Sequence, residues 1–281
     1  MMALFVLGPA ASRLVGMLRA SDASADVTLL VNTSPALGVV VAIGVVALAL
    51  VAGLPASRAL GVRTGLTVTG LTLAWAAWYT SPISVLARSH DGGRLLLTLA
   101  IEGALTLALG VAALALLVRV GARHDGDPLC EPVAAQFKKA LTTGPGLAAM
   151  GGALLASLVI AWFVAREPLR GQSIFAGFAA GIGAGSVGIW CGSFVGRDVP
   201  PMAAILGVML VAVIAPVLGM VMPGGEGLRE AVVGDAIPGP VRLQGLDALV
   251  GATLGAPIGL GWVGSMLDGA ERAAGGRTAS A

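Results

Sequence analysis

Glu102 is the acidic residue that lies deepest within a long apolar stretch, Leu95–Val118. A carboxylate in hydrocarbon costs about 2.5–3.5 kcal/mol on insertion scales, so such a group faces a partner, a cavity or water. Counted from Leu95, it lies about two turns, roughly 10 Å, along a helix. Thr98 and Thr106 stand four residues to either side and share its helix face. Glu102, Thr98 and Thr106 therefore form a candidate site for an ion or a small polar substrate. The structural alternative is a neutral acid that hydrogen-bonds a neighbouring helix.

Pro82, Pro216 and Pro257 also fall within apolar stretches. Each lacks a backbone donor and frees a carbonyl one turn earlier. Broken membrane helices use such carbonyls to coordinate ions, with a plain kink as the alternative. Glycine supplies the third pattern. Gly177, Gly181 and Gly185 recur every four residues, and Gly188, Gly192 and Gly196 form a second stripe on an adjoining face. Gly251, Gly255 and Gly259 repeat the spacing near the C-terminus. Small residues at this spacing let two helix backbones approach closely. Gly183-x-Gly185-x-x-Gly188 has dinucleotide-fingerprint spacing, but no strand precedes it, so that reading fails.

Other chemistry is missing from the places that would need it. His90 and His124 both fall in connectors, so neither is placed to hold a haem within a span. His124-Asp125-x-Asp127-x-x-Cys130-Glu131 groups metal-capable side chains without a zinc-site spacing. Ser89-His90-Asp91 is adjacency, whereas a triad is a spatial arrangement. No residue is assigned a catalytic role, and no metal or cofactor is expected. With 17 basic and 15 acidic residues, unclustered, the chain has no nucleic-acid-binding face.

The elements that must position these residues are apolar helices. Hydrophobic residues make up 57% of the chain and charged residues 11%, with a mean hydropathy of +0.92. A soluble domain carries about 25% charged residues, so lipid must cover part of this surface. Seven stretches suit a helix of about 20 residues: 36–54, 65–87, 95–118, 146–165, 173–195, 202–222 and 246–266. The fold class is all-α, a polytopic transmembrane helix bundle of about seven spans, with six to eight admissible. Residues 1–35 read as an N-terminal segment with an interfacial helix, 36–267 as the transmembrane domain, and 268–281 as a disordered tail. Glu131-Pro132 followed by Val133–Leu141 reads as a short amphipathic helix in the Arg119–Gly144 connector. The basic excess of that connector places it in the cytoplasm. Trp75, Trp78, Tyr79, Trp162 and Trp190 suit interfacial anchoring.

Two functions fit. The first is an integral membrane subunit or scaffold of a larger assembly without catalysis of its own. Its partners would be the lipid bilayer and other membrane subunits or further copies of itself, packed through the glycine faces. The alternative is a small ion or solute transporter or channel that uses Glu102 and proline-broken helices. An arginine-rich, Ala/Gly/Val-biased composition suggests a bacterial cytoplasmic (inner) membrane.

Overall fold

The computed structural model describes residues 1–20, 22–121, 128–196, 198–221, 230–231 and 237–278, with 268–278 described by backbone alone. Six helices among them are long and apolar enough to cross a bilayer. They are α2 (Pro35–Leu60), α5 (Gly92–Val120), α7 (Gly144–Val164), α8 (Arg170–Val195), α9 (Pro201–Val221) and the stretch Gly245–Leu267 of the last helix. Their outer faces keep large apolar side chains such as Leu155, Phe163, Phe175, Phe194 and Val221 exposed, which suits lipid rather than water. The protein is a polytopic integral membrane protein built as a helix bundle.

Local chemistry sets where the helices stop. The Ser34 side chain accepts a hydrogen bond from the Leu37 amide and Pro35 occupies the first turn, so α2 starts there. Gly61 reverses the chain at φ 95°, a conformation that suits glycine, and α3 (Val62–Trp78) returns beside α2. The sequence pattern suggests a span continuing to Ala87. Instead α3 ends after 17 residues, the chain runs extended through Pro82, and α4 (Ile83–Ser89) begins anew. Proline disfavours helical backbone at the residue before it, here Ser81, and so breaks the run. Pro82 is therefore the residue that caps α4, not a kink inside a span.

The N-terminal segment begins as helix. A π-helical turn, Ala3–Leu7, leads into α1 (Gly8–Val15), which packs on α2 and α3 with Ala11 and Val15 fully buried. It packs against the bundle while Phe5, Val6 and Met17 stay exposed. Residues 27–31, assigned by sequence to a leading segment, are buried in the core. In the connector after α5, the amphipathic helix α6 (Val133–Thr142) follows Pro132. The metal-capable residues His124, Asp125 and Asp127 lie outside the described residues.

The last helix, α10, opens at Gly245–Val250, widens through a π-helical turn at Gly251–Gly255 and continues as Ala256–Thr278. The π turn lies just before Pro257, where the missing donor and the ring would disturb a regular helix. The helix thus runs through much of the stretch from residue 268 where sequence suggests disorder.

The glycine stripes seat α8 between two neighbours. A Cβ built on Gly181 would stand 2.1 Å from the Gly251 carbonyl oxygen, and one on Gly177 2.3 Å from that of Asp247. From α10, Gly251, Gly255 and Gly259 meet the carbonyls of Gly177, Phe178 and Ile182 at 2.3, 2.3 and 2.2 Å in the same sense. Gly185 meets that of Ala256 at 2.5 Å. On the adjoining face, Gly188 and Gly192 face the carbonyls of Ala149 and Pro145 of α7, each at 2.9 Å, and Gly196 faces the Pro145 ring. These stripes are filled by the same chain. A methyl group at Gly181 would push two backbones apart, and overpacking costs about 1–3 kcal/mol. Gly151, exposed on α7, has nothing within 4 Å of such a methyl. Thermal unfolding in detergent should show Gly181→Ala several degrees less stable than wild type and Gly151→Ala unchanged. Equal behaviour of the two variants would contradict the packing just described.

Candidate functional site

Irregular chain gathers at the end of the bundle where α2, α5, α8 and α10 begin. Three stretches meet there: the segment before α2, the break between α3 and α4, and the approach to α10. Ser81 ties the first two together, its amide donating to the Val27 carbonyl at 2.9 Å. Gln244 ties the second to the third, accepting from the Thr80 hydroxyl at 2.8 Å and donating to the Ser81 carbonyl at 2.6 Å.

Glu102 lies beneath this cluster with no exposed surface. Ten residues into α5, it stands about 15 Å from the start of that helix. Its Oε2 accepts the Thr28 hydroxyl at 2.5 Å and the Leu30 amide at 2.9 Å. Thr28 is fixed in turn, because its Oγ1 accepts the Val31 amide at 3.1 Å and its own amide donates to the Val31 carbonyl at 3.1 Å. Oε1 of Glu102 is buried and has no hydrogen-bond partner. Close approach over the carboxylate depends on three glycines. A Cβ at Gly38 would meet the Leu29 carbonyl at 1.7 Å, one at Gly103 the Ala212 carbonyl at 2.3 Å, and one at Gly245 the Thr106 hydroxyl at 2.5 Å.

The predicted companions of Glu102 behave differently. Thr98 turns its hydroxyl to the Arg94 carbonyl of its own helix. Thr106 donates to the backbone carbonyls of Glu102 and Gly103, not to the carboxylate. Pro216 lies inside α9, so the Ala212 carbonyl lacks its usual helical donor. That carbonyl is the one set against Gly103, which brings one proline break next to Glu102. Pro82 joins the cluster through its neighbour Ser81. Pro257 lies further along α10, past the π turn.

A second buried acid accompanies Glu102. Asp247, in the first turn of α10, has no exposed surface and forms a two-pronged ion pair with Arg170, the first residue of α8, at 2.7 Å on each side. Arg170 also donates to the Ala77 carbonyl at 2.8 Å and to Ser173 at 2.7 Å, so the pair locks the end of α3 to the starts of α8 and α10. Gln244 and Asp247 close a reciprocal capping box, with the Gln244 amide donating to Asp247 at 3.0 Å. At the opposite end, Lys139 pairs with Asp198 and Glu131 at 3.2 Å each and fastens α6 to the turn before α9. The Asp198 and Glu131 hydrogen bonds hold the Lys139 ammonium above the usual lysine range.

Sequence reasoning missed Thr28, Leu30, Arg170, Gln244 and Asp247. The three-residue spacing from Gln244 to Asp247 resembles a capping-box signal. Thr28 and Leu30 carried none, since their role depends on a tertiary fold-back. Among the described residues, no group of three His, Cys, Asp or Glu side chains is placed to hold a metal ion. No family model, curated protein or solved structure matches the chain.

Breaking a buried ion pair by removing one partner costs about 3–5 kcal/mol, whereas replacing both with apolar residues is often neutral. Arg170→Met should therefore lower the unfolding midpoint sharply, and Arg170→Met combined with Asp247→Leu should recover most of the loss. A single variant as stable as wild type would show that the pair does not lock these helices.

Proposed function

We propose that the protein is a small membrane transporter or channel in which Glu102 is the ion-handling group. The observation that carries this reading is a fully buried carboxylate with one oxygen unpartnered, covered by a non-helical segment. Intramembrane acids in such settings mark ion and proton pathways. Non-helical backbone at membrane depth is found where it is buried in protein or lines a cavity, as in transporters. Residues 28–31 cover the carboxylate, and ion passage through this site requires them to move aside. With the basic α6 connector in the cytoplasm, the site opens toward the opposite face.

A subunit or scaffold role is the second reading, and the two hydrogen bonds that fasten Oε2 to Thr28 and Leu30 favour it, because a purely structural acid would be held in this way. The glycine faces give it less support than their spacing suggests, since both stripes of α8 are occupied within the chain.

Purified protein in vesicles under an imposed ion and pH gradient separates the two. Flux above that of empty vesicles, reduced to near background by Glu102→Gln, is expected. Flux untouched by the substitution would remove Glu102 from the mechanism. Absence of flux, with fixed partners co-purifying in mild detergent, would favour the subunit role.

A further inference from the structure

We infer that the ion taken up by Glu102 is a proton, held on its Oε1, and not a metal cation; this rests on the transport reading above.

The contacts of the carboxylate decide between the two. A Ca2+ site supplies about six to eight oxygens and Mg2+ demands near-octahedral oxygen geometry. A K+ filter likewise replaces the hydration shell with carbonyl oxygens. At Glu102 both hydrogen-bonded partners are donors, the Thr28 hydroxyl and the Leu30 amide, and both go to Oε2. The amide turns its positive end to the carboxylate and would repel a cation there. The Thr28 oxygen is already engaged, accepting from the Val31 amide. The Leu29 carbonyl is engaged as well, accepting from the Asn32 side chain at 2.8 Å. Even with the Ala212 carbonyl freed by Pro216, the oxygens fall far short of a cation's shell.

A proton needs one oxygen, and Oε1 is that oxygen. Glu102 also lacks a counter-ion among the described residues. Among the described residues, the charged groups on segments packed around this part of α5 include Asp26, Arg88, Arg170, Glu230, Arg242 and Asp247. Arg170 and Asp247 neutralise each other. The lining stretch of α9, Pro201–Val221, carries no charge. An ionised Glu102 would be a buried charge met by two donors at Oε2 and by no cation, whereas the neutral acid carries no charge. When the cover opens, water solvates the carboxylate and the Oε1 proton leaves to it. Before the cover closes, the carboxylate takes one proton back from water at the same oxygen, so the sealed form is again the neutral acid. Each opening exchanges one proton with water and breaks no other covalent bond.

Infrared spectroscopy of the whole protein in vesicles tests this. The wild type should show the carbonyl band of a protonated carboxyl at neutral pH, shifted in D2O and missing in Glu102→Gln. The band should be unchanged when Na+, K+ or Ca2+ is added at fixed pH. Loss of the band on adding any of these cations would overturn the inference in favour of a cation site. Absence of the band at neutral pH in cation-free buffer would overturn it in favour of a permanently ionised carboxylate. If Glu102→Gln misfolds, Glu102→Asp keeps an acid at the position, and a shift of the band in that variant assigns it to Glu102. A protonated band together with absent flux in the vesicle assay would fault the transport reading alone.

Discussion

A carboxylate about 15 Å down an apolar helix is costly in hydrocarbon, and the upper half of this bundle is arranged around the means of keeping Glu102 there. The segment before α2 folds back so that one hydroxyl and one amide meet Oε2. That fold-back needs α2 to start without a Cβ at Gly38, because the Leu29 carbonyl occupies the space. It also needs α3 to stop at Trp78, so that extended chain at Ser81 can bond Val27. The break in α3 then needs Gln244 to satisfy Thr80 and Ser81, which fixes where α10 begins.

The packing of α8 against α7 and α10 solves a different problem. Between lipid-facing helices there is little hydrophobic driving force, so close van der Waals contact and backbone Cα–H···O contacts must supply the association. Glycine on α8 and α10 allows backbone to touch backbone, and the Arg170–Asp247 pair clamps the same helices at one end. A tightly joined wall thus stands beside a polar cluster roofed by non-helical chain.

Much of the helical frame was legible in the sequence, because uninterrupted apolar runs such as Met202–Val221 have few alternatives. The pattern also located Glu102 and the glycine faces. It overran at Pro82, where apolar composition continued past a backbone break that only the residue before proline reveals. The surroundings of Glu102 were hidden for a geometric reason. Helix periodicity points to Thr98 and Thr106, four residues away on the same face, but the hydroxyl that reaches the carboxylate comes from Thr28, far off in sequence. Asp247 was hidden by its position at the start of a glycine-rich span, where an acid passes for an interfacial residue.

The central claim is that Glu102 is a protonated acid reached by opening of the bundle. A hydrophobic carbodiimide adds to protonated carboxyls in apolar surroundings, and mass spectrometry can locate the adduct. The account predicts an adduct at Glu102 in vesicles that diminishes as pH rises, because the ionised form does not react. An unmodified Glu102 under conditions that label other carboxyl groups of the chain would contradict it, leaving a sealed structural acid.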